Sequence, residues 1–219
     1  MNPVFPSILS TSYFDLEDRL SQFQNQGIDC IHLDVMDGHF VDNISFGPRL
    51  AKAIKSKFPF QIDAHLMVAN PEKSISTFIE SGSDWISFHI ESNNYTERNL
   101  GLIREAGKKA GLVLNPDTPL ESISPYLTQV DYILLMSVFP GYGGQTFIES
   151  TQEKVFLLKK RIQEQGLNCL IQVDGGINAD NITMIKEAGA DLFVIGTFLY
   201  NSDNISQTLD TVISKINGV

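Results

Sequence analysis

Short apolar runs recur along the whole chain and alternate with stretches of helical periodicity. Most of the runs are continuous rather than alternating, as expected for strands that are buried on both faces. They are Val4–Leu9, Cys30–Val35, Phe60–Met67, Trp85–His89, Gly111–Leu114, Tyr132–Val138, Cys169–Val173 and Leu192–Ile195. The pattern therefore predicts eight strands.

Between these runs, apolar residues recur three and four positions apart, which predicts amphipathic helices. The predicted helices are Phe14–Gln26, Pro48–Lys57, Glu72–Ser81, Tyr95–Lys109, Gln152–Gln165, Asn181–Ala188 and Asn204–Ile216. The link 116–130 is the least helical of the connections, and we expect a short or irregular helix there.

The regular alternation of strand and helix indicates parallel βα units, and eight such units close into a (β/α)8 barrel, the TIM barrel of the α/β class. An open doubly wound sheet is the alternative, but that fold usually carries a glycine-rich turn after its first strand. Here the segment 7–11 reads SILST and contains no glycine. No linker or low-complexity tract divides the chain, so we expect a single domain over residues 1–219.

Composition narrows the classes of function. The 219 residues are 42% hydrophobic and 19% charged, as in ordinary globular proteins. A net charge of −10 argues against a general nucleic-acid binder, which would carry a basic patch. No apolar run is long enough to cross a membrane, no signal-peptide pattern opens the chain, and the two cysteines form no CxxC pair. We expect a cytoplasmic protein without nucleic-acid or membrane partners, and a homo-oligomer on base rates.

Polar residues follow several of the predicted strands, at the end of the barrel where chemistry is found. His32 and Asp34 lie two positions apart and so point to the same face of their strand. Two imidazoles and two carboxylates suit zinc, iron, manganese or cobalt better than magnesium. The predicted ligands of one divalent metal ion are His32, Asp34, His65 and Asp174. For each histidine alone, an ordinary core position is the competing interpretation, and for His89 we favour a structural role or one that supports a ligand.

Glycines cluster after the last three predicted strands. They lie in the segments 141–144 (GYGG), 175–176 (GG) and 196–197 (GT). Glycine lets backbone N–H groups approach an anion closely, and a phosphate site after the last strands recurs in this barrel. No lysine or arginine is placed at these strand ends, so backbone amides would hold the phosphate. Each glycine segment alone is also compatible with a simple tight turn.

A metal ion, two carboxylates and a phosphate site describe the enolisation or hydrolysis of a small phosphorylated molecule. The metal would act as a Lewis acid, and the carboxylates could remove a proton from one face of a carbon and return it to the other. No lysine lies at a strand end, which argues against Schiff-base chemistry.

Longer motifs make the chain resemble the ribulose-phosphate 3-epimerase family nearly from end to end. The motifs are PSILS (6–10), HLDVMDGHFVDNISFGP (32–48), HLMVANPE (65–72), GLVLNPDTP (111–119), MSVFPGYGGQTFI (136–148), VDGGI (173–177) and VIGTFLY (194–200). The pair formed by HxDxMDGxF and VDGGI is the specific part of this resemblance.

The resemblance implies a (β/α)8 barrel that interconverts D-ribulose 5-phosphate and D-xylulose 5-phosphate through a metal-stabilised enediolate. It implies that the four predicted ligands bind one divalent metal ion, for which zinc or iron is the first expectation and manganese or cobalt the alternative. It also implies that Asp34 and Asp174 are the acid–base pair. The loop 140–145 would close as a lid. The implied substrate contacts are Ser7, Met36, His65, Met67, Met136, Gly141, Tyr142, Gly143, Gly144, Gly175, Gly176, Gly196 and Thr197.

Three positions depart from the usual pattern of the family. Phe139 stands where a polar residue is common, Asp42 where proline is common, and Thr197 where serine is usual. Thr197 keeps the hydroxyl group, whereas Phe139 and Asp42 leave the choice of sugar open. A 3-epimerase of a hexulose 6-phosphate, such as allulose 6-phosphate, is therefore the alternative.

Two more distant alternatives belong to other classes of function. Sugar-phosphate decarboxylases of this barrel carry an Asp-x-Lys motif on the third strand, but residues 63–65 here read Asp-Ala-His. A non-catalytic sugar-phosphate binder would be expected to lose its acid–base pair first, and both Asp34 and Asp174 are present.

Overall fold

The computed structural model describes residues 1–92 and 95–218, and within them eight parallel strands form one sheet. The expected domain over 1–219 also includes positions 93, 94 and 219, which lie outside the described residues. The strands are β1 (Val4–Pro6), β2 (Cys30–Met36), β3 (Gln61–Met67), β4 (Trp85–His89), β5 (Lys109–Leu114), β6 (Tyr132–Met136), β7 (Leu170–Asp174) and β8 (Leu192–Ile195).

The sheet runs in the order β1-β8-β7-β6-β5-β4-β3-β2 and nearly closes on itself between β1 and β2. At this seam Ser7 forms a parallel bridge with His32, and the Ile8 amide donates a hydrogen bond to the His32 carbonyl at 3.3 Å. Every residue of β2 is buried, as a strand covered on both faces requires. The predicted (β/α)8 barrel is confirmed.

Helices connect the strands and cover the outside of the barrel. They are α1 (Leu16–Asn25), α2 (Pro48–Lys57), α3 (Pro71–Glu80), α4 (Thr96–Glu105), α5 (Ser150–Glu164), α6 (Ile182–Ala188), α7 (Thr197–Tyr200) and α8 (Ile205–Asn217). Two 3-10 helices cover Ile90–Ser92 and Leu120–Tyr126. The second is the short, irregular helix expected in the link before β6.

The predicted helix Tyr95–Lys109 is too long at its C-terminal end. Gly107 adopts a left-handed conformation with φ of 70°, which ends the helical path after Glu105. Lys109 then pairs with Trp85 as the first residue of β5, two residues before the predicted start of that strand. The predicted first strand, Val4–Leu9, is also too long, because only its first three residues form β1.

The interior of the barrel is filled with side chains and is separate from the apolar layer between strands and helices. Its members include Phe5, Cys30, Trp85, Val113, Tyr132, Leu134 and Met136. A filled interior provides a rigid floor for groups at the C-terminal ends of the strands. Among the helices of the described residues, none combines the length and apolar character that a membrane span needs.

Candidate active site

A cavity of about 200 Å³ opens at the C-terminal ends of the strands, where the sequence predicted the site. Of the predicted site residues, fourteen line this cavity. They are Ser7, Asp34, Met36, Met67, Met136, Gly141, Tyr142, Gly143, Gly144, Asp174, Gly175, Gly176, Gly196 and Thr197. His32 and His65 are fully buried directly beneath it.

The four predicted metal ligands lie together at the floor of the cavity. One ligand atom from each of them lies within 4.8 Å of the others. Asp34 Oδ1 is 3.4 Å from His32 Nε2 and 3.5 Å from His65 Nδ1, and Asp174 Oδ2 is 4.0 and 3.8 Å from the same nitrogens. Four atoms bound tetrahedrally at about 2.1 Å from one ion are about 3.4 Å apart. The two Asp34 distances already match this spacing, and the longer separations, which reach at most 4.8 Å, would have to shorten for all four atoms to bind one ion.

The two histidine nitrogens that face this cluster provide an independent test of metal binding. His32 Nε2 and His65 Nδ1 are buried, and neither has a hydrogen-bond partner among the described residues. Buried polar atoms are nearly always paired, since leaving one unpaired costs free energy. A divalent cation between the two nitrogens and the two carboxylates would satisfy all four groups, so the residues present fit the predicted metal.

The other nitrogen of His32 is held by Asp63, a residue that the sequence analysis did not assign to the site. His32 Nδ1 lies 2.8 Å from Asp63 Oδ2, and all atoms of both side chains are buried. Asp63 also accepts hydrogen bonds from the Tyr132 hydroxyl at 3.0 Å and from Gln172 Nε2 at 2.7 Å. An ionised carboxylate at this position accepts a hydrogen bond from the proton on Nδ1, so Nε2 is the nitrogen of His32 that faces the cluster and would bind a metal. The available signal was that Asp63 precedes His65 by two positions and so shares its face.

The other nitrogen of His65 is held by His89, which lies beside the cluster and is not part of it. The two Nε2 atoms are 2.8 Å apart, and His89 Nδ1 is 3.2 Å from Glu91 Oε2. Both imidazole rings are fully buried. Each predicted histidine ligand is therefore backed by a chain of hydrogen bonds that ends on a carboxylate.

The two carboxylates of the cluster differ strongly in proton affinity. Burial, together with the negative charge of Asp34, raises the pKa of Asp174 to about 7. Burial also acts to raise the pKa of Asp34, but the electrostatic effect of the neighbouring His32 and His65 outweighs it and holds that pKa well below its usual range. Burial lowers the pKa of His65 to about 4. Neighbouring acids with opposite shifts are typical of sites that transfer protons.

A narrow cradle formed by Ser10, Gly143 and Thr197 lies in the same cavity, where the segments after β1, β6 and β8 meet. A Cβ atom at Gly143 would lie 2.7 Å from Ser10 Oγ and 3.0 Å from Thr197 Oγ1, so a larger residue would push against these two hydroxyl groups. The two hydroxyl groups are themselves 2.8 Å apart. Ser10 was missed as a site residue because, although it directly follows the predicted first strand, its segment carries no charge or glycine signal.

The glycine pair after β7 is required by the backbone of the loop after β6. Gly176 has a φ of 65°, and a Cβ atom there would lie 2.5 Å from the amide nitrogen of Phe147. In the same loop, Gln145 Nε2 donates to the carbonyls of Phe139 at 2.7 Å and Tyr142 at 2.9 Å, which holds the loop in a compact turn. The predicted closure of this loop as a lid stays a prediction.

Comparison with known proteins agrees with this geometry. A sequence model described as the ribulose-phosphate 3 epimerase family matches residues 3–200. The chain belongs to this family. It is 43% identical over 205 residues to a ribulose-phosphate 3-epimerase of Aquifex aeolicus, covering 94% of this chain and 92% of the relative. It is 40% identical over 213 residues to the ribulose-phosphate 3-epimerase of Bacillus subtilis, covering 97% and 98% of the two chains. The protein is thus an epimerase, and hence an isomerase.

Similarity to solved structures extends beyond the family. The structure of 3-hexulose-6-phosphate synthase from Salmonella typhimurium superposes with a TM-score of 0.77 over 99% of both chains, at 13% sequence identity. At this identity the likeness shows the barrel fold alone, since one barrel hosts many chemistries.

Proposed function

We propose that this epimerase interconverts D-ribulose 5-phosphate and D-xylulose 5-phosphate by exchanging a proton at carbon 3 between Asp34 and Asp174. The observation that carries the proposal is that these two carboxylates, from β2 and β7, meet at the floor of one cavity. In the sheet β1 and β8 lie between their strands, so the two groups approach a bound sugar from different sides. The names of the similar proteins support the choice of sugar phosphate.

The cluster of His32, Asp34, His65 and Asp174 would hold a divalent metal ion, with zinc or iron the better matches to two imidazoles and two carboxylates. When bound, the ion supplies Lewis acidity that makes the carbon beside a ketone more acidic. The protein side chains supply the positioning and the proton transfer.

Asp34 is held in position for proton transfer by its neighbours. Its Oδ2 accepts a hydrogen bond from Ser7 Oγ at 2.5 Å, while its Oδ1 faces the two histidines. Asp174 keeps 14% of its side chain exposed at the cavity, where it can reach the substrate. One carboxylate takes the proton from carbon 3, the other delivers a proton to the opposite face, and the roles reverse in the reverse reaction.

Three methionines enclose the site of proton transfer. Met36, Met67 and Met136 line the cavity, and each has at most 4% of its surface exposed. Thioether side chains carry no acidic proton and exclude water, so they would protect an enediolate from protonation by solvent.

The cradle formed by Ser10, Gly143 and Thr197 is the proposed site for the phosphate group. No lysine or arginine lines the cavity within the described part of the chain. Hydroxyl groups and backbone amides would therefore hold the anion, and Gly143 allows close approach because a side chain there would fill the cradle.

Proton exchange tests the reaction and the substrate together. We would incubate the metal-loaded protein with D-ribulose 5-phosphate in deuterium oxide and follow deuterium at carbon 3 and the formation of xylulose 5-phosphate by NMR. Exchange together with epimerisation would support the proposal. If neither occurs, turnover of allulose 6-phosphate would replace the assigned sugar, and inactivity on both substrates would make the non-catalytic binder the better reading.

The two carboxylates can be tested separately. Asp34→Asn and Asp174→Asn should each lower turnover by about 10²–10⁴-fold, the usual contribution of general acid–base catalysis, with the fold intact by circular dichroism. Asp180→Asn, at an exposed position in the loop after β7, is the matched control. Near-normal turnover in either active-site variant would contradict the two-carboxylate mechanism.

A further inference from the structure

We infer that Glu91 is a positioning residue that sets the metal-binding tautomer of His65 through His89, and thereby sets the metal affinity of the site. This inference rests on the metal site of the proposed function. It concerns two side chains, His89 and Glu91, that do not belong to the cluster of four ligands.

The carboxylate of Glu91 is fixed from both sides. Its Oε1 accepts hydrogen bonds from the Asn115 amide at 2.8 Å and from the Thr118 hydroxyl, while its Oε2 faces His89 Nδ1 at 3.2 Å. Lys154 Nζ donates to the Asn115 carbonyl at 2.8 Å and so holds the segment that binds Oε1. Only 22% of the Glu91 side chain is exposed. The two hydrogen bonds to Oε1 therefore hold the carboxylate so that Oε2 points toward His89 Nδ1.

The direction of the hydrogen bonds follows from the chemistry of the carboxylate. An ionised carboxylate only accepts hydrogen bonds, so His89 must carry a proton on Nδ1. A second proton on Nε2 would create an imidazolium ion on a side chain with no exposed surface, which is costly. His89 Nε2 therefore accepts, and the single proton in its 2.8 Å contact with His65 belongs to His65 Nε2. That leaves His65 Nδ1 unprotonated and facing Asp34 and Asp174, the state that a metal ligand needs.

The two histidines of the hydrogen-bonded relay from Glu91 through His89 to His65 are fully buried. The imidazole of His89 packs against the ring of Phe40, with centroids 4.7 Å apart, and meets the ring of His65 edge to edge through the two Nε2 atoms, with centroids 5.0 Å apart. Because His89 has no exposed side-chain surface and meets Glu91 at one ring nitrogen and His65 at the other, a change at Glu91 should reach His65.

The variant Glu91→Gln reverses the relay with almost no change in size. Its amide oxygen should stay with the two donors at Asn115 and Thr118, which turns the amide N–H groups toward His89 Nδ1. His89 then accepts at Nδ1 and donates from Nε2, and His65 is left with its proton on Nδ1. We expect a 10- to 100-fold weaker affinity for zinc or cobalt, the usual effect of losing a partner that orients a ligand.

The experiment measures zinc and cobalt affinity by chelator competition and histidine tautomers by nitrogen-15 NMR of the metal-free protein. Glu91→Gln should weaken both metals and move the proton of His65 from Nε2 to Nδ1. Glu91→Asp keeps an acceptor-only group and should keep the wild-type tautomer. Glu97→Gln, an exposed residue on the neighbouring α4, is the matched control and should change neither quantity.

Two results would overturn the inference. One is a wild-type His65 that carries its proton on Nδ1, a measurement that needs no variant and no metal. The other is unchanged metal affinity in a folded Glu91→Gln protein. Failure of the wild-type protein to bind any divalent metal would instead count against the metal site of the proposed function, and the tautomer of His65 would still decide the relay.

Discussion

Substitution of Gly111 by alanine tests how tightly the interior of the barrel is packed beneath the candidate active site. Gly111 on β5 lies directly opposite Tyr132 on β6, and the tyrosine ring leans over the space that glycine leaves empty. An added Cβ atom would lie 2.3 Å from Cζ of that ring. Ordinary carbon contacts are about 3.5–4.0 Å, so the ring would have to move by more than about 1 Å.

The ring of Tyr132 has little freedom to move. It is fully buried, packs against Trp85 with centroids 5.1 Å apart, and its hydroxyl donates to the carboxylate of Asp63. Overpacking costs about 1–3 kcal/mol and a lost hydrogen bond to a charged group about 1.5–3 kcal/mol, while alanine regains about 0.5–1 kcal/mol of backbone entropy relative to glycine. We therefore expect Gly111→Ala to lower the free energy of unfolding by about 3 kcal/mol.

Urea unfolding followed by circular dichroism measures this loss. In a Tyr132→Leu background the same change should cost less than about 1 kcal/mol, because the obstructing ring is gone. Gly101→Ala on α4, where an added Cβ atom meets nothing within 4 Å, should be neutral or stabilising. The reasoning is refuted if Gly111→Ala unfolds like the wild type, or if its cost is the same in both backgrounds.

Three further predictions follow from local geometry. Partial burial acts to raise the pKa of the Asp37 carboxyl group. Hydrogen bonds from the backbone amides of His39, Phe40 and Ala69 outweigh burial and hold this pKa below its usual value. Asp37→Asn should therefore cost about 1–2 kcal/mol in urea unfolding at pH 7. The stabilising effect of Asp37 is complete above its unfolded pKa of about 3.9 and is lost as the pH falls through the lower folded value, so the difference should disappear in strong acid. Gly176→Ala should lose at least about 1–2 kcal/mol from left-handed strain alone, with further loss from the contact with Phe147, and turnover should fall with it. Removal of metal by a chelator should lower the midpoint of thermal unfolding, and zinc at 100 times its Kd should restore about 2.7 kcal/mol.

Each of these predictions has a result that contradicts it. A pH-independent difference between Asp37→Asn and the wild type would show that the charge of Asp37 is not involved. Full activity and stability in Gly176→Ala would mean that the backbone of the loop after β6 can move to accommodate the added methyl group. A midpoint of thermal unfolding that changes with neither the chelator nor zinc would argue against a metal site at the cluster.

Much of the site could be predicted from sequence because parallel strands of a barrel end at a common face. Once His32, Asp34, His65 and Asp174 were assigned to strand ends, their convergence followed from topology, and the structure brings their ligand atoms within 4.8 Å. The strand pattern was equally informative, since burial on both faces leaves continuous apolar runs.

Element ends were less predictable, because they depend on local backbone choices. The helical pattern of α4 continues past Glu105, and only the left-handed conformation of Gly107 stops it. Periodicity reports which residues are apolar and does not report the dihedral angles at one glycine.

The supporting groups could be identified only from the tertiary structure. Asp63 and Ser10 are visible in the sequence as single polar residues, but their partners lie 31 and 187 positions away along the chain. The sequence by itself was enough to predict the fold and the grouping of His32, Asp34, His65 and Asp174, because both depend on position within a strand. The tertiary structure decided which nitrogen of each histidine faces the cluster and which hydroxyl faces Gly143, because those depend on the register between strands and on contacts of a few ångströms that no periodic pattern encodes.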